Sequence, residues 1–350
     1  MNQIKNIDIA LLATGDEVVS GDILNKNAFN IAKILDNNRF QVKTHLAVRD
    51  SKISVVNAIK WLMKSHRVII TTGGLGPTLD DLTIDAIAEA TQLPVVFNEN
   101  AWEIVQSIYL KYGISCPENN KRLARFLEGA ALFPPVNGTA HGSIVDTGDN
   151  MIIALPGPPK ECLPMVERDV IPLLKTNEFD QGLHRTTFYL FAASESHVAS
   201  IIEPICLKQN LVFGFRTSFP YLEVKVFTKD PNPELSDIHN AVKPWYIGSK
   251  PIRYETIFVN HYLKTFNTFK FIINNEMKDM IDWLPGWEEQ HGKNEISIVY
   301  SKQAKTIQSK FKNHNASFTL DKNYSDERIK YLIKAWLCMQ WSHWLNLPLE

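Results

Sequence analysis

The sequence predicts an α/β fold in which parallel strands carry helices on the faces of a sheet. Two observations predict it: short apolar runs alternate with helix-period segments from the start, and glycine- or proline-rich loops follow three of those runs. "IDIALLATG" reads as a buried strand ending at Gly15. "NKNAFNIAKILDNN" follows as a helix, with Asn27 as its cap and Ala28, Ile31, Ala32 and Leu35 on its inner face. "FQVKTHLAV" is the second strand, "SKISVVNAIKWLMKSH" the second helix and "RVIITTG" the third strand. This β-α-β-α-β order implies right-handed crossovers between parallel strands. Ligands of such sheets sit beyond the carboxyl ends of the strands. Three loops fall there: Thr14 to Gly21, Gly73 to Asp81, and "LPGPP" (Leu155 to Pro159) after "NMIIA".

A helix, "KECLPMVERDVIPLLK", closes this unit near Lys175 and sets a first domain of residues 1–176. Residues 177–250 read as a small α+β domain with "RTTFYLFAASE", a helix around "SHVASIIEPIC", and "LVFGFRTSFPYLEVKVFTK". In the last segment Leu222, Val224 and Val226 alternate as in a half-exposed strand. Residues 251–350 differ. Trp283, Trp287, Trp336, Trp341 and Trp344 crowd this part, and periodic signals are weak until "SDERIKYLIKAWLCMQWSHWL". That stretch predicts an amphipathic helix capped by Ser325 or Asp326.

Composition narrows the function. The 350 residues are 45% hydrophobic and 21% charged, as in a soluble globular protein. Lys and Arg number 37 against 38 Asp and Glu, so no net field draws the chain to nucleic acid or an anionic membrane. Without a basic groove, the tryptophans read as core or dimer-interface residues and not as a base-stacking platform. Cys116, Cys162, Cys206 and Cys338 lie far apart with no CxxC, which predicts ordinary buried thiols in a reducing compartment. The first apolar run is too short for a signal peptide or a membrane span, and the expected location is the cytoplasm.

The chemistry centres on "TTGGLGPTLDDLT". Thr78 and Asp81 have the spacing of a capping box for a helix with Leu82, Ala86, Ile87 and Ala90 on its apolar face. A second reading starts from a conflict of charge. Gly73, Gly74 and Gly76 let backbone N–H groups approach a phosphate, yet Asp80 and Asp81 would repel it. A divalent cation resolves the conflict, because Mg²⁺ takes one or two carboxylates together with phosphate oxygens and water. Asp16 and Glu17 in "ATGDEVVSGD" and Asp50 after "HLAVR" place further acids on the same sheet edge. Lys121 and Arg122 in "PENNKRLAR" offer cations to phosphate oxygens, or a solvated helix face. "NGTAHG" and "LPGPP" are turns rich in backbone donors.

Together, "ATGDEVVSGDILNKN", "TTGGLGPTLDDLT", "PENNK", "NGTAHG" and "ALPGPPKE" resemble the N-terminal domain of the competence/damage-inducible protein CinA family, which is related to molybdopterin-binding domains. The resemblance spans roughly residues 5–250. It implies a three-layer α/β/α sandwich, a homodimer, and a metal-dependent pyrophosphatase that cleaves ADP-ribose, or a related dinucleotide, to AMP and ribose 5-phosphate. The implied glycine loop is Gly73, Gly74, Leu75, Gly76 and Thr78, followed by the catalytic, metal-binding acids Asp80 and Asp81. The first acidic motif falls on Gly15, Asp16 and Glu17, with Asp16 as a further metal ligand, and continues through Ser20, Gly21 and Asn27. Lys121, Gly138, Thr139, Pro156, Gly157, Pro158 and Pro159 complete the implied substrate contacts, and Glu161 follows them. The implied cofactor is Mg²⁺, Mn²⁺ or Co²⁺. His141, Leu123 and Leu127 depart from the family pattern and are expected in loops bordering the substrate. A non-catalytic pterin- or nucleotide-binding protein is the competing expectation.

Many members of that family end in an amidase-like domain with a serine nucleophile. Here no serine occurs between Lys250 and Ser297, so no deamidase activity is expected. "VYSKQAK" is similar to a catalytic segment of that domain through Tyr300 and Lys305. Two readings stand for the tail: a decayed amidase, α/β in architecture, or a helical cap with Tyr300 and Lys305 on its surface.

Overall fold

The structure, a computed structural model, describes residues 8–177, 179, 182–250, 269–273, 275–278, 294–301, 303, 306–319 and 326–344. The chain divides into two compact units, Met1–Gly182 and Leu183–Glu350.

The first unit begins with β1 (Ile9–Thr14), α1 (Asp16–Ser20), α2 (Lys26–Asn37), β2 (Val42–Val48), α3 (Lys52–Met63), β3 (Val68–Thr72) and α4 (Thr83–Thr91). It continues through β4 (Val95–Phe97), α5 (Glu99–Lys111), a 3₁₀ turn (Glu118–Ala124), β5 (Arg125–Leu127), β6 (Ala131–Phe133), β7 (Gly142–Asp146), β8 (Met151–Leu155), α6 (Pro159–Met165) and α7 (Ile171–Thr176). The central sheet has the order β2-β1-β3-β8-β7-β6. Its first four strands are parallel, and β7 and β6 run antiparallel to their neighbours. Every residue of β1 is buried, because the sheet is covered on both sides. Ile9 and Leu11 pack with Ala28, Ile31 and Leu35 of α2, whereas Ala10 and Leu12 pack with Val55, Ile59 and Leu62 of α3 and Ile87 of α4. Two cores on opposite faces of one sheet make the expected three-layer sandwich. Burying a side chain such as Ile31 or Ile59, both wholly inaccessible, contributes about 2 kcal/mol.

Several local expectations need correction. Asn25, not Asn27, caps α2, its side chain accepting from the Ala28 N–H at 3.0 Å. Thr78 does not cap α4, which starts at Thr83 after Leu82 with no side-chain cap. The predicted single helix near Lys175 is α6 and α7 joined by a π turn at Val166–Val170. Pro164 and Pro172 each remove a helical N–H, and the ladder widens between them.

The second unit starts with β9 (His184–Phe191), α8 (Glu195–Lys208), β10 (Val212–Ser218), β11 (Tyr221–Thr228), α9 (Ser236–Val242) and β12 (Tyr246–Gly248). They form an antiparallel sheet in the order β10-β11-β9-β12. β11 is central, so Tyr221 and Glu223 are buried along with Leu222, Val224 and Val226, and the strand is not half-exposed. Farther on lie β13 (Phe269–Ile273), α10 (Asn275–Lys278), β14 (Asn294–Ser301), β15 (Thr306–Phe311), β16 (His314–Thr319) and α11 (Asp326–Trp344). The second sheet, β13-β14-β15-β16, was not legible in the sequence, and this part is α/β and not mainly helical. Helix α11 buries Leu332, Ile333, Trp336, Leu337 and Trp341 against it, and the Trp341 Nε1–H donates to Ser309 Oγ at 3.0 Å. Tyr300 is a core residue at 2% exposure and not a surface one. Lys305, Trp283, Trp287 and Ser325 lie outside the described residues. Cys162, Cys206 and Cys338 are buried, but Cys116 is only half-buried. No described helix is long and apolar enough to cross a membrane.

Candidate functional site

Strand β1 lies between β2 and β3, so the chain leaves its carboxyl end toward one neighbour and later returns to the other. This is the switch point where open parallel sheets form a crevice. A cavity of about 660 Å³ occupies it. Ala13 and Thr14 end β1 at its floor, beside Thr72, which ends β3, and the Gly73–Gly74 turn after it. Glu17, Val18, Ile23, Leu24, Asn25 to Asn27 and Asp50 line it further, together with Asp80, Asp81, Gly157 and Pro159.

The floor depends on two glycines. Gly73 has φ +98° and a Cβ there would stand 2.7 Å from the Thr14 carbonyl oxygen. Gly74 has φ +65°, and its Cβ would stand 2.3 Å from Thr83 Oγ1. Both left-handed backbones and the close approach of β1 require glycine. The Thr83 hydroxyl then donates to the Gly73 carbonyl at 2.8 Å, and the Thr83 N–H donates to the Gly74 carbonyl at 3.1 Å. Among the described residues, the N–H groups of Gly74, Leu75 and Gly76 meet no acceptor.

The acids are held by hydrogen bonds. Asp81 Oδ2 accepts from the Thr78 N–H at 2.9 Å and from the Thr78 hydroxyl at 2.5 Å. Asp80 is exposed, and the nearby Thr78 hydroxyl holds its carboxyl below the usual range. Burial raises the Asp50 carboxyl; the Asp16 N–H opposes this, and the charges of Glu17 and Asp16 reinforce it. Among the described residues no three His, Cys, Asp or Glu side chains gather as a metal-binding group. A cation here would need ligand or water oxygens besides Asp80 and Asp81.

Of the implied site residues, Glu17, Asn27, Gly73, Gly74, Asp80, Asp81, Gly157 and Pro159 line the cavity. Asn27 Nδ2 donates to the Gly157 carbonyl at 2.6 Å, joining α2 to the "LPGPP" turn, and its Oδ1 is buried without a partner. The others stand behind the lining or away from it. The Gly15 N–H donates to the Val48 carbonyl at 3.2 Å, Asp16 bonds Asp50, and Ser20 donates to Asp22 at 2.7 Å, just before Gly21, which ends α1. Leu75 packs on the α3 side of the core, Gly76 lies against the Asp81 carboxylate, and Thr78 serves Asp81. Gly138 lies against the Glu161 carboxylate, Thr139 is half-buried beside it, Pro156 is buried and Pro158 is exposed. Burial raises the Glu161 carboxyl, while the Ala140 N–H lowers it.

Lys121 pairs with Glu118 at 2.6 Å on the surface. Its neighbour Arg122 reaches the loop instead, donating from Nη2 to the Asp81 carbonyl at 3.1 Å. The apolar wall of Val18, Ile23 and Leu24 was also missed; an apolar pair after Gly21 and Asp22 in a loop was the available signal. His141, Leu123 and Leu127 do not border the cavity. They are buried at 4%, 5% and 2% exposure, Leu127 in β5 and Leu123 in the 3₁₀ turn. His141 packs edge-on to Phe126 at 5.9 Å, both its ring nitrogens lack partners, and burial pushes its pKa down to about 4.

Sheet order, layers and crevice define the first unit as a molybdopterin-binding-type α/β domain, and residues 10–176 match the family described as "Probable molybdopterin binding domain". The chain belongs to the CinA, or competence-damage inducible, protein family. It is 32% identical over 219 residues to a protein named as competence-damage inducible from Thermoanaerobacter pseudethanolicus, covering 63% of this chain and 53% of that one. A CinA-like protein of Dictyoglomus turgidum is 36% identical over 173 residues, covering 49% and 42%. The crystal structure of CinA from Thermoplasma acidophilum is similar at 24% identity and TM-score 0.44, covering 50% of this chain and 99% of that one. The chain spans about half the length of the curated relatives it matches.

Proposed function

We propose that the protein hydrolyses the diphosphate bond of ADP-ribose or a related dinucleotide with a divalent ion, giving AMP and ribose 5-phosphate. The supporting observation is one cavity that joins the Gly73–Gly74 turn to the carboxylates of Asp80 and Asp81. The N–H groups of Gly74, Leu75 and Gly76, which meet no acceptor among the described residues, suit phosphate oxygens. Two carboxylates short of a full ligand set suit an ion that a diphosphate and water complete. When bound, that ion neutralises the diphosphate and makes a water more acidic. Asp80, held ionised, orients that water by accepting its hydrogen bond. Val18, Ile23 and Leu24 cover the apolar face of the base, and Asp50 offers an acceptor to ribose hydroxyls. Asp16 serves the loop through Asp50 and is left out of the proposed ion site.

The test is incubation with ADP-ribose and Mg²⁺, Mn²⁺ or Co²⁺, following AMP by chromatography. Metal-dependent AMP is expected. No AMP with any metal, from folded protein, overturns the reading. The engaged Asp81 carboxylate favours one alternative, a pterin- or nucleotide-binding protein without turnover. Asp81→Asn separates them: it abolishes turnover in the enzyme and leaves or improves anion binding in the binder. With no serine between Lys250 and Ser297, no nicotinamide release from its mononucleotide above a heat-killed control is expected.

A further inference from the structure

We infer that Arg122 is the positioning residue for the Asp80–Asp81 pair, tying the acidic segment to the 3₁₀ turn and so fixing it at the cavity. The inference rests on the pyrophosphatase reading of that cavity.

The segment from Leu75 to Leu82 belongs to no helix or strand. Its first end is secured where Thr83 bonds the Gly73 and Gly74 carbonyls. The Thr78–Asp81 bonds are internal and shape the turn without anchoring it. Among the described residues, the bond from Arg122 Nη2 to the Asp81 carbonyl fastens the acids to another part of the fold, 41 residues away. The 3₁₀ turn can act as an anchor because Asn120, Leu123 and Ala124 are buried.

Pairing with Asp85 does not explain where Arg122 lies. Arg125 takes Asp85 Oδ1 at 2.8 Å, while Arg122 stands 3.9 Å from Oδ2. The Arg122 Nε is buried without an acceptor, a cost a surface ion pair would avoid. Lys121, turned out to Glu118, does none of this.

The test uses the full chain with Arg122→Met and Arg122→Lys. In Arg122→Met, kcat for ADP-ribose should fall at least about tenfold and the metal concentration for half-maximal rate should rise, with KM near wild type. Arg122→Lys, which keeps the charge and one donor, should recover part of kcat. Hydrogen exchange of residues 78–82 should accelerate in Arg122→Met while the rest of the first unit is unchanged. Wild-type kcat and metal dependence in Arg122→Met would overturn the inference, as would a loss that Arg122→Lys does not relieve. If the wild type makes no AMP, the reaction reading fails by itself, and exchange decides the anchoring: unchanged rates at residues 78–82 overturn it.

Discussion

The carboxylates of Asp16 and Asp50 each accept the other's main-chain N–H, both at 3.2 Å, across 34 residues of sequence. The exchange clasps the loops that leave β1 and β2, and it presents Asp50 and Glu17 to the cavity. Acids at this edge thus organise backbone as well as offering charge.

The burial of Asp50 in this clasp predicts a pH effect. Burial chiefly raises the Asp50 carboxyl above its ordinary 3.8, so its protonated form is favoured in the fold. The stability this gives is present at low pH and is lost as pH rises through the raised folded value. Asp50→Asn keeps an acceptor for the Asp16 N–H and has no charge to bury. Its melting temperature relative to wild type should therefore increase between about pH 4 and pH 7; an unchanging difference would mean that burial does not raise the Asp50 carboxyl.

His141 carries the opposite sign. Its pKa falls from 6.5 to about 4 in the fold. Between those values the unfolded chain binds a proton that the folded chain does not, so stability rises with pH, by up to about 3 kcal/mol. His141→Leu should narrow the gap in urea midpoint between pH 7 and about pH 4.5. An equal gap in both proteins would show that the ring protonates in place.

Gly73→Ala meets both a left-handed backbone and the Thr14 carbonyl 2.7 Å from the new Cβ. Backbone cannot yield as a side-chain tip can, so a loss of roughly 2–4 kcal/mol is expected. Chemical denaturation measures it. A wild-type midpoint would mean that β1 and β3 separate easily at the crevice.

Strands β1, β3 and β8 were legible because strands buried on both faces are nearly continuous apolar runs. The outer faces of β15 and β16 mix Gln308, Lys310, Asn315 and Ser317 into the pattern, which hid the sheet that α11 covers. The Thr78–Asp81 spacing was legible as a closed pair, but its place was not. The pair closes a loop before the helix, because Thr83 bonds back to Gly73 and fixes the helix start there. Sequence also could not say which of Lys121 and Arg122 turns inward. Three-dimensional packing of Leu123 and Ala124 decides it. His141, Leu123 and Leu127 stood out only as departures from a pattern, which carries no information on burial.

The central claim is that Asp80 and Asp81 hold a divalent ion jointly with a diphosphate. It is tested most directly by titrating Mn²⁺ into the full chain with and without ADP-ribose at low temperature, reading free Mn²⁺ by electron paramagnetic resonance. Weak binding alone, marked tightening with ADP-ribose, and loss of that tightening in Asp81→Asn are expected. Equal Mn²⁺ affinity with and without ADP-ribose, or tightening that survives Asp81→Asn, would contradict the claim.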